Sequence, residues 1–236
     1  MSYVSVAIVI GLLIAIHEYG HLLAAKLCGI PVRRFSIGFG PKLFGFNRAE
    51  TSYWFSLIPL GGYVLPALED TDFRQLPTYK RITFALGGPI ANITGAFVGL
   101  FVIGLSQFSL GFVRAVLFAA TQLMMGLQQQ LYGLSTLFAD FGQISGIVGI
   151  VAVGGTQFGS TLADLLTFSV LINISLAVLN LLPLPPLDGG RVLFCVLEKI
   201  YRPAARIEAP VTLVGWALVM VLMVCVTVQD VGRIVA

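Results

Sequence analysis

Residues 12–26 read "LLIAIHEYGHLLAAK". Two histidines and a glutamate interrupt a run that otherwise has the makings of a membrane-spanning helix. Ionisable groups at that depth are costly, and where they occur they face a protein interior or a wet cavity and do chemistry. His17 and His21 are i and i+4, so on a helix they share one face about a turn apart. Two imidazoles so placed suit a single metal ion of the Zn²⁺ type. Glu18 is rotated about 100° from His17. It is poorly aimed as a third ligand and well placed as general base for a water that the metal activates. His17 and His21 are the only histidines in the 236 residues.

The rest of the composition supports a membrane setting. Apolar side chains make up 57% of the chain and charged ones 11%, against roughly 25% charged in ordinary soluble domains. Four apolar runs, about 4–26, 84–106, 165–187 and 210–228, each approach the roughly 20 residues that cross the hydrocarbon. The fold class expected is a polytopic α-helical membrane protein with about four transmembrane helices. Twelve of the fourteen basic residues lie at or between alternate spans: Lys26, the seven from Arg33 to Arg81, and Arg191, Lys199, Arg202 and Arg206. Arg114 and Arg233 fall on the other side. The positive-inside rule then places those two loops in the cytoplasm and both termini outside, in a multi-pass protein of the cytoplasmic (inner) membrane. The basic residues set topology, and no nucleic-acid partner is implied. Cys28, Cys195 and Cys225 are odd in number and scattered, so no disulfide framework is expected. The first run lacks a basic n-region and continues into the histidines, which marks a retained helix rather than a cleaved signal peptide.

After the first span the period changes. In "VRRFSIGFG" (32–40) Phe35, Ile37 and Phe39 alternate with Arg34, Ser36 and Gly38, and "TSYWFSLIPLGGYV" (51–64) is rich in aromatic and β-branched residues. Residues 32–64 are expected to form a small membrane-associated hairpin or sheet, with "PKLFGFN" apolar enough to enter the interface. Residues 66–81 read as a polar cytoplasmic loop. "GGPIAN" (87–92) reads as a break or tight entry to the second span. Gly95 and Gly99 have the GxxxG spacing that permits close helix packing. Residues 110–140 are helical in pattern but carry Arg114, Gln122 and Gln128 to Gln130. An amphipathic helix on the outer face is expected there, with an additional span as the alternative.

A catalytic zinc site needs a third protein ligand and an open position. Glu50, Glu69, Asp70 and Asp72 lie in the polar loop. Glu198 and Glu208 stand among Lys199 and Arg206 in a stretch expected to be solvated, and Asp140, Asp164 and Asp230 lie toward the outer side. Asp188, in "NLLPLPPLDGGR", is different. It follows an apolar run, and Pro183, Pro185 and Pro186 preclude a regular helix just before it. Gly189 and Gly190 allow a sharp turn. Unwound backbone at membrane depth belongs where it lines a cavity or is buried in protein. Asp188 could serve as the third ligand, cap the helix that follows, or do both.

HEYGH, "GGPIAN" and "NLLPLPPLDGG" together resemble the site-2 protease family of intramembrane zinc metalloproteases. "RRFSIGFGPKLFG…IPLGGYV" and "QISGIVGI" are similar to its bacterial branch, which cleaves anti-sigma factors and remnant signal peptides. The resemblance implies that His17, His21 and Asp188 bind Zn²⁺ and that Glu18 activates water. It implies that Asn180 orients substrate, and that the strand segment at Gly38, Phe39 and Gly40 takes up an unwound peptide by strand addition. The partners it implies are single-span membrane proteins or signal-peptide remnants in the lipid bilayer. Relatives usually carry PDZ domains after the second span, and residues 107–143 are too few and too apolar to hold one. Two other readings remain at this stage, a zinc-binding transporter and a pseudoprotease that holds membrane helices without cutting them. Glu18 argues against both, since neither needs a base beside a ligand pair.

Overall fold

A computed structural model describes residues 2–137, 146–158 and 161–235; Asp140 and the first three residues of "QISGIVGI" lie outside them. The elements, in chain order, are α1 (Ser2–Leu27), β1 (Val32–Arg48), β2 (Thr51–Pro66), α2 (Asp70–Gln75) and α3 (Thr78–Ser106). They continue as α4 (Phe112–Leu137), α5 (Ile147–Gln157), α6 (Leu162–Asn180), α7 (Asp188–Ile200) and α8 (Ala204–Val235). Among the described residues, four stretches are long and apolar enough to cross a bilayer: Tyr3–Leu27, Thr78–Ser106, Leu162–Asn180 and Arg206–Arg233. With the sheet directly after α1, this is the expected polytopic helical membrane protein. The chain forms two compact units, one of Gly11–Asn92 with Leu179–Thr212, the other of Met1–Ile10, Ile93–Val178 and Leu213–Ala236.

In the first unit α1 and α3 meet backbone to backbone. A Cβ on Gly20 would lie 2.2 Å from the Gly87 carbonyl oxygen, and one on Gly87 would lie 2.5 Å from the Gly20 carbonyl oxygen. Small residues permit this approach, and lipid-embedded helices gain from it through dispersion contacts. "GGPIAN" therefore sits inside α3 and does not begin the span, since α3 starts at Thr78 and carries Pro89 within it. Pro89 deprives the Ala85 carbonyl of its helical donor, a loss that membrane helices tolerate where neighbours supply partners. Next to the α1–α3 contact, Leu22, Ala25, Ile30, Val32, Phe35 and Phe84 form a buried apolar cluster. Phe73 of α2 meets Phe84 edge-on at 5.7 Å. That packing folds part of 66–81 into α2 and the first turn of α3, where the sequence reads as loop.

β1 and β2 pair antiparallel, each bent by bulges. Arg34 to Ile37 are paired on both sides, with Ser52 to Phe55 and with Gly62 to Leu65, while Lys42 to Arg48 pair with Thr51 to Ser56. The bend in β1 falls at Gly38 and Gly40, with φ of 91° and 84°, a region that glycine enters without a steric cost. The Arg34 guanidinium lies 3.6 Å from the Trp54 ring centroid. Leu43, Phe44 and Phe46, on the outer arm, are exposed.

Glu198 and Glu208 depart from the solvated reading. Arg81 of α3 is buried, and its Nη1 donates to Glu198 Oε2 of α7 at 2.6 Å. Arg74 pairs with Glu208 at 3.3 Å. A buried guanidinium needs an opposite charge within reach, and α7 supplies it. The pair ties the helix that begins at Asp188 to α3.

In the second unit, Ala96, Leu100 and Ile103 of α3, Ala119 of α4, and Val170, Ile174 and Val178 of α6 form the core. α6 packs against the GxxxG face, so that a Cβ on Gly99 would lie 2.7 Å from Val170 Cγ2. Among the polar positions of α4, Gln130 donates to Ser175 of α6. Asp230, 2% exposed, accepts from the amides of Gly146 at 2.9 Å and Gly149 at 2.8 Å. A carboxylate at the start of α5 satisfies amides that the helix leaves unpaired. Asp164 and Thr161 form a reciprocal cap at the start of α6.

The Arg81–Glu198 pair yields a sign-specific expectation. Glu198→Leu strands a buried guanidinium and lowers stability by roughly 3 kcal/mol, whereas Arg81→Met with Glu198→Leu recovers most of the loss. Thermal unfolding of the purified protein in detergent measures both.

Candidate metal centre

His17 and His21 project from the same face of α1, and the turn after α6 delivers Asp188 to them as the first residue of α7. All three are buried, at 8%, 5% and 7% exposure. The His17 and His21 Nε2 atoms are 3.2 Å apart, and Asp188 Oδ2 is 3.1 Å from the first and 3.2 Å from the second. Three donors around one Zn²⁺ at 2.0–2.1 Å in tetrahedral geometry would stand about 3.3 Å from one another. The triangle therefore has the size that the ion requires, and its donor set is one that zinc takes. Asp188 does not act as a helix cap. The N-cap is Leu187, without a side-chain cap bond, and the carboxylate is turned to the imidazoles instead.

The residues around the triangle prepare it for a cation. Burial pushes the Asp188 carboxyl up, but hydrogen bonds from His17 and His21 and their charge outweigh this and hold it well below the usual carboxylate range. It is therefore ionised, as a ligand must be. His21 Nδ1 donates to the Phe84 carbonyl at 2.8 Å. That carbonyl can only accept, so Nδ1 carries a proton, and Nε2 is the nitrogen whose lone pair a cation would take in place of the proton shared with Asp188. Gly88 leaves the necessary room. A Cβ there would lie 2.5 Å from both Nε2 atoms and 2.6 Å from His17 Cε1, too close for the rings to keep their places. Gly189 and Gly190 are within α7 rather than at a sharp turn. A Cβ on Gly189 would lie 2.2 Å from the Leu181 carbonyl oxygen, so bare backbone is what lets the first turn of α7 close on 181–184.

The other residues singled out from the sequence are placed as follows. Glu18 lies against the end of β2, where a Cβ on Gly62 would meet its Cγ at 2.7 Å and its Cδ at 3.4 Å. Phe39 is stacked on Tyr63, with ring centroids 6.3 Å apart. Gly38 is packed against the Ser56 and Ile58 carbonyls. Asn180 is the half-buried last residue of α6, one turn region ahead of Asp188. Four contributors were missed by reading motifs singly: Phe84, Gly88, Asn92 and Gly62. A signal existed for Asn92, whose side chain is 0% exposed and 3.1 Å from His17 Nδ1. An amide in an otherwise apolar stretch of a span is unusual enough to be sought a partner.

His17, His21 and Asp188 form a buried cluster that could hold a metal ion, and Glu18 stands between the two histidines in the sequence. Residues 5–222 match Peptidase family M50, and the chain belongs to that family. Membership makes it a zinc-dependent endopeptidase built as a multi-pass membrane protein. Among similar proteins, a predicted zinc metalloprotease of Fusobacterium nucleatum is 24% identical across 99% of each chain. One of Clostridium acetobutylicum is 25% identical across 98% of each. Zinc metalloprotease RasP of Oceanobacillus iheyensis is 51% identical over 94 residues, which is 39% of this chain and 22% of that protein. The first alignment runs over 337 positions against the 236 residues here, so on the order of a hundred positions have no counterpart, the size of a small domain.

Gly88→Ala isolates the metal site from folding. Alanine at a helix interior is favoured over glycine by about 1 kcal/mol, while its methyl group would press on both Nε2 atoms and force the imidazoles out of the triangle. The variant is expected to insert and fold but to retain far less than one equivalent of zinc, measured by metal analysis after gel filtration.

Proposed function

We propose that this protein hydrolyses peptide bonds within, or at the cytoplasmic edge of, the transmembrane helices of single-span substrates. Anti-sigma factors and remnant signal peptides are the substrate classes to try first. The single observation that carries the reading is the position of the ligand triangle. His17 and His21 lie inside a candidate span that ends at Leu27, about 9–15 Å along the helix axis from that end at 1.5 Å per residue. A peptide bond that reaches them comes from a segment itself at membrane depth.

His17, His21 and Asp188 would hold Zn²⁺, which when bound would supply Lewis acidity to a carbonyl and lower the pKa of a water. Glu18 takes the proton of that water as it attacks and returns it to the departing amine. The substrate must first leave its helix, because helical carbonyls are committed to their own hydrogen bonds. Strand addition at the sheet meets that need. In support, Gly61 lies under the Phe39 ring, where a Cβ would be 2.1 Å from Cε2, and the adjoining Gly62 touches Glu18. The bend at Gly38, Phe39 and Gly40 and the base thus belong to one surface. Asn180, at the head of the turn leading to Asp188, is assigned to orient the substrate. α4 occupies most of the chain between α3 and α5. Substrate selection is assigned to this core. The basic loops orient the active site toward the cytoplasmic side of the inner membrane, with both termini outside.

Glu18→Gln separates the proposed chemistry from transport or passive binding. It is expected to keep one equivalent of zinc and to lose 10²–10⁴-fold in cleavage of a model transmembrane substrate in liposomes. Cleavage at the wild-type rate by the variant defeats the assignment of Glu18. A zinc-loaded wild type that cuts no helical substrate defeats the proteolytic reading. Phe39→Ala is expected to raise KM about tenfold with a smaller change in kcat, as loss of a substrate contact does.

A further inference from the structure

We propose that Asn92 is a positioning residue for the metal centre, whose side-chain carbonyl holds His17 in the tautomer that presents Nε2 to the ion. This rests on the metal reading above and extends it to a residue outside the ligand set and the catalytic pair. A metal-binding imidazole uses one nitrogen as ligand and needs a partner for the proton on the other. His21 has a backbone carbonyl for that purpose, the Phe84 oxygen. Among the described residues, the partner of His17 Nδ1 is the carboxamide of Asn92, at 3.1 Å, and not a backbone carbonyl.

As placed, Nδ2 of Asn92 is the atom next to His17, and Oδ1 is buried without a hydrogen-bond partner. A buried amide oxygen left unpaired is costly, and the two ends of a carboxamide differ by a half-turn about one bond. In the orientation placed, Nδ2 donates to Nδ1. The ring proton is then on Nε2, 3.1 Å from Asp188 Oδ2, and fills the role of the ion. After the half-turn, Oδ1 accepts from Nδ1–H, Nδ2 takes the buried position that Oδ1 held, and the Nε2 lone pair joins that of His21. One side chain thus pairs with His17 Nδ1 in both conditions, and only the second admits a cation. Its placement on α3, one turn after Gly88, means that the helix which leaves room for the ion also orients a ligand.

The test compares zinc affinity of the full chain in detergent, by chelator competition, for wild type, Asn92→Leu and Asn92→Asp. Leucine has similar volume and no acceptor; it is expected to weaken zinc binding 10–100-fold, the usual effect of losing such a partner. Aspartate can only accept, and should bind zinc within about threefold of wild type or more tightly. Equal affinity for Asn92→Leu and wild type overturns the proposal, as does a loss in Asn92→Asp as large as in Asn92→Leu. If Asn92→Leu does not fold, the aspartate variant and one further measurement decide. With only two histidines in the chain, ¹⁵N-imidazole spectra of the zinc-loaded wild type should show a protonated Nδ1 on both rings. A ring with bare or metal-bound Nδ1 refutes the assignment. A wild type that binds no zinc at all removes the metal reading itself, a result distinct from either of these.

Discussion

Three groups that water would solvate strongly are held within 3.2 Å of one another in a setting where water is scarce. That arrangement is tolerable only if their charges and lone pairs are matched, and much of the surrounding unit follows from the requirement. Asp188 brings a negative charge to two imidazoles. Phe84 and Asn92 face the remaining ring nitrogens. These residues come from three segments, so the centre also acts as a crosslink among α1, α3 and the start of α7. A ligand lost from such a cluster leaves partners that nothing else nearby can satisfy.

Bare backbone makes the convergence possible. Gly20 and Gly87 let α1 and α3 touch, Gly88 leaves space over the ligands, and Gly189 lets α7 begin against the preceding turn. None of these glycines has a positive φ. Their common property is the missing Cβ, and they are used for volume rather than for conformational freedom. Helices in lipid gain little from burying apolar side chains against each other, since lipid is equally apolar. Close approach and dispersion then carry more of the packing, which is why a unit rich in such contacts can also hold a tightly dimensioned site.

Polar groups elsewhere in the chain obey the same rule with different partners. Asp230 accepts through Oδ2 from two amides at the start of α5, and Arg81 is paired with Glu198. Both join elements far apart in sequence. In a sequence scan they look like solvent-facing charges near span ends. They act instead as fasteners, because an apolar surrounding strengthens a matched pair and penalises an unmatched one.

The amino-acid sequence by itself determined the membrane class, the helical pairing of His17 with His21, the neighbouring glutamate, and Asp188 as the exceptional carboxylate. Those are matters of hydropathy, a 3.6-residue period and local breakers, which act over short stretches of chain. Two short strands were legible from alternation, but not the double pairing of Arg34 to Ile37, since alternation does not name a partner. Tertiary structure alone decided that Gly88 borders the ligands, that Asn92 meets His17, that Gly62 meets Glu18, and that Glu198 belongs to Arg81. Each depends on a through-space distance between segments separated by tens of residues or more. Local propensity carries no such information, because it is the packing of whole helices that brings those atoms within bonding reach.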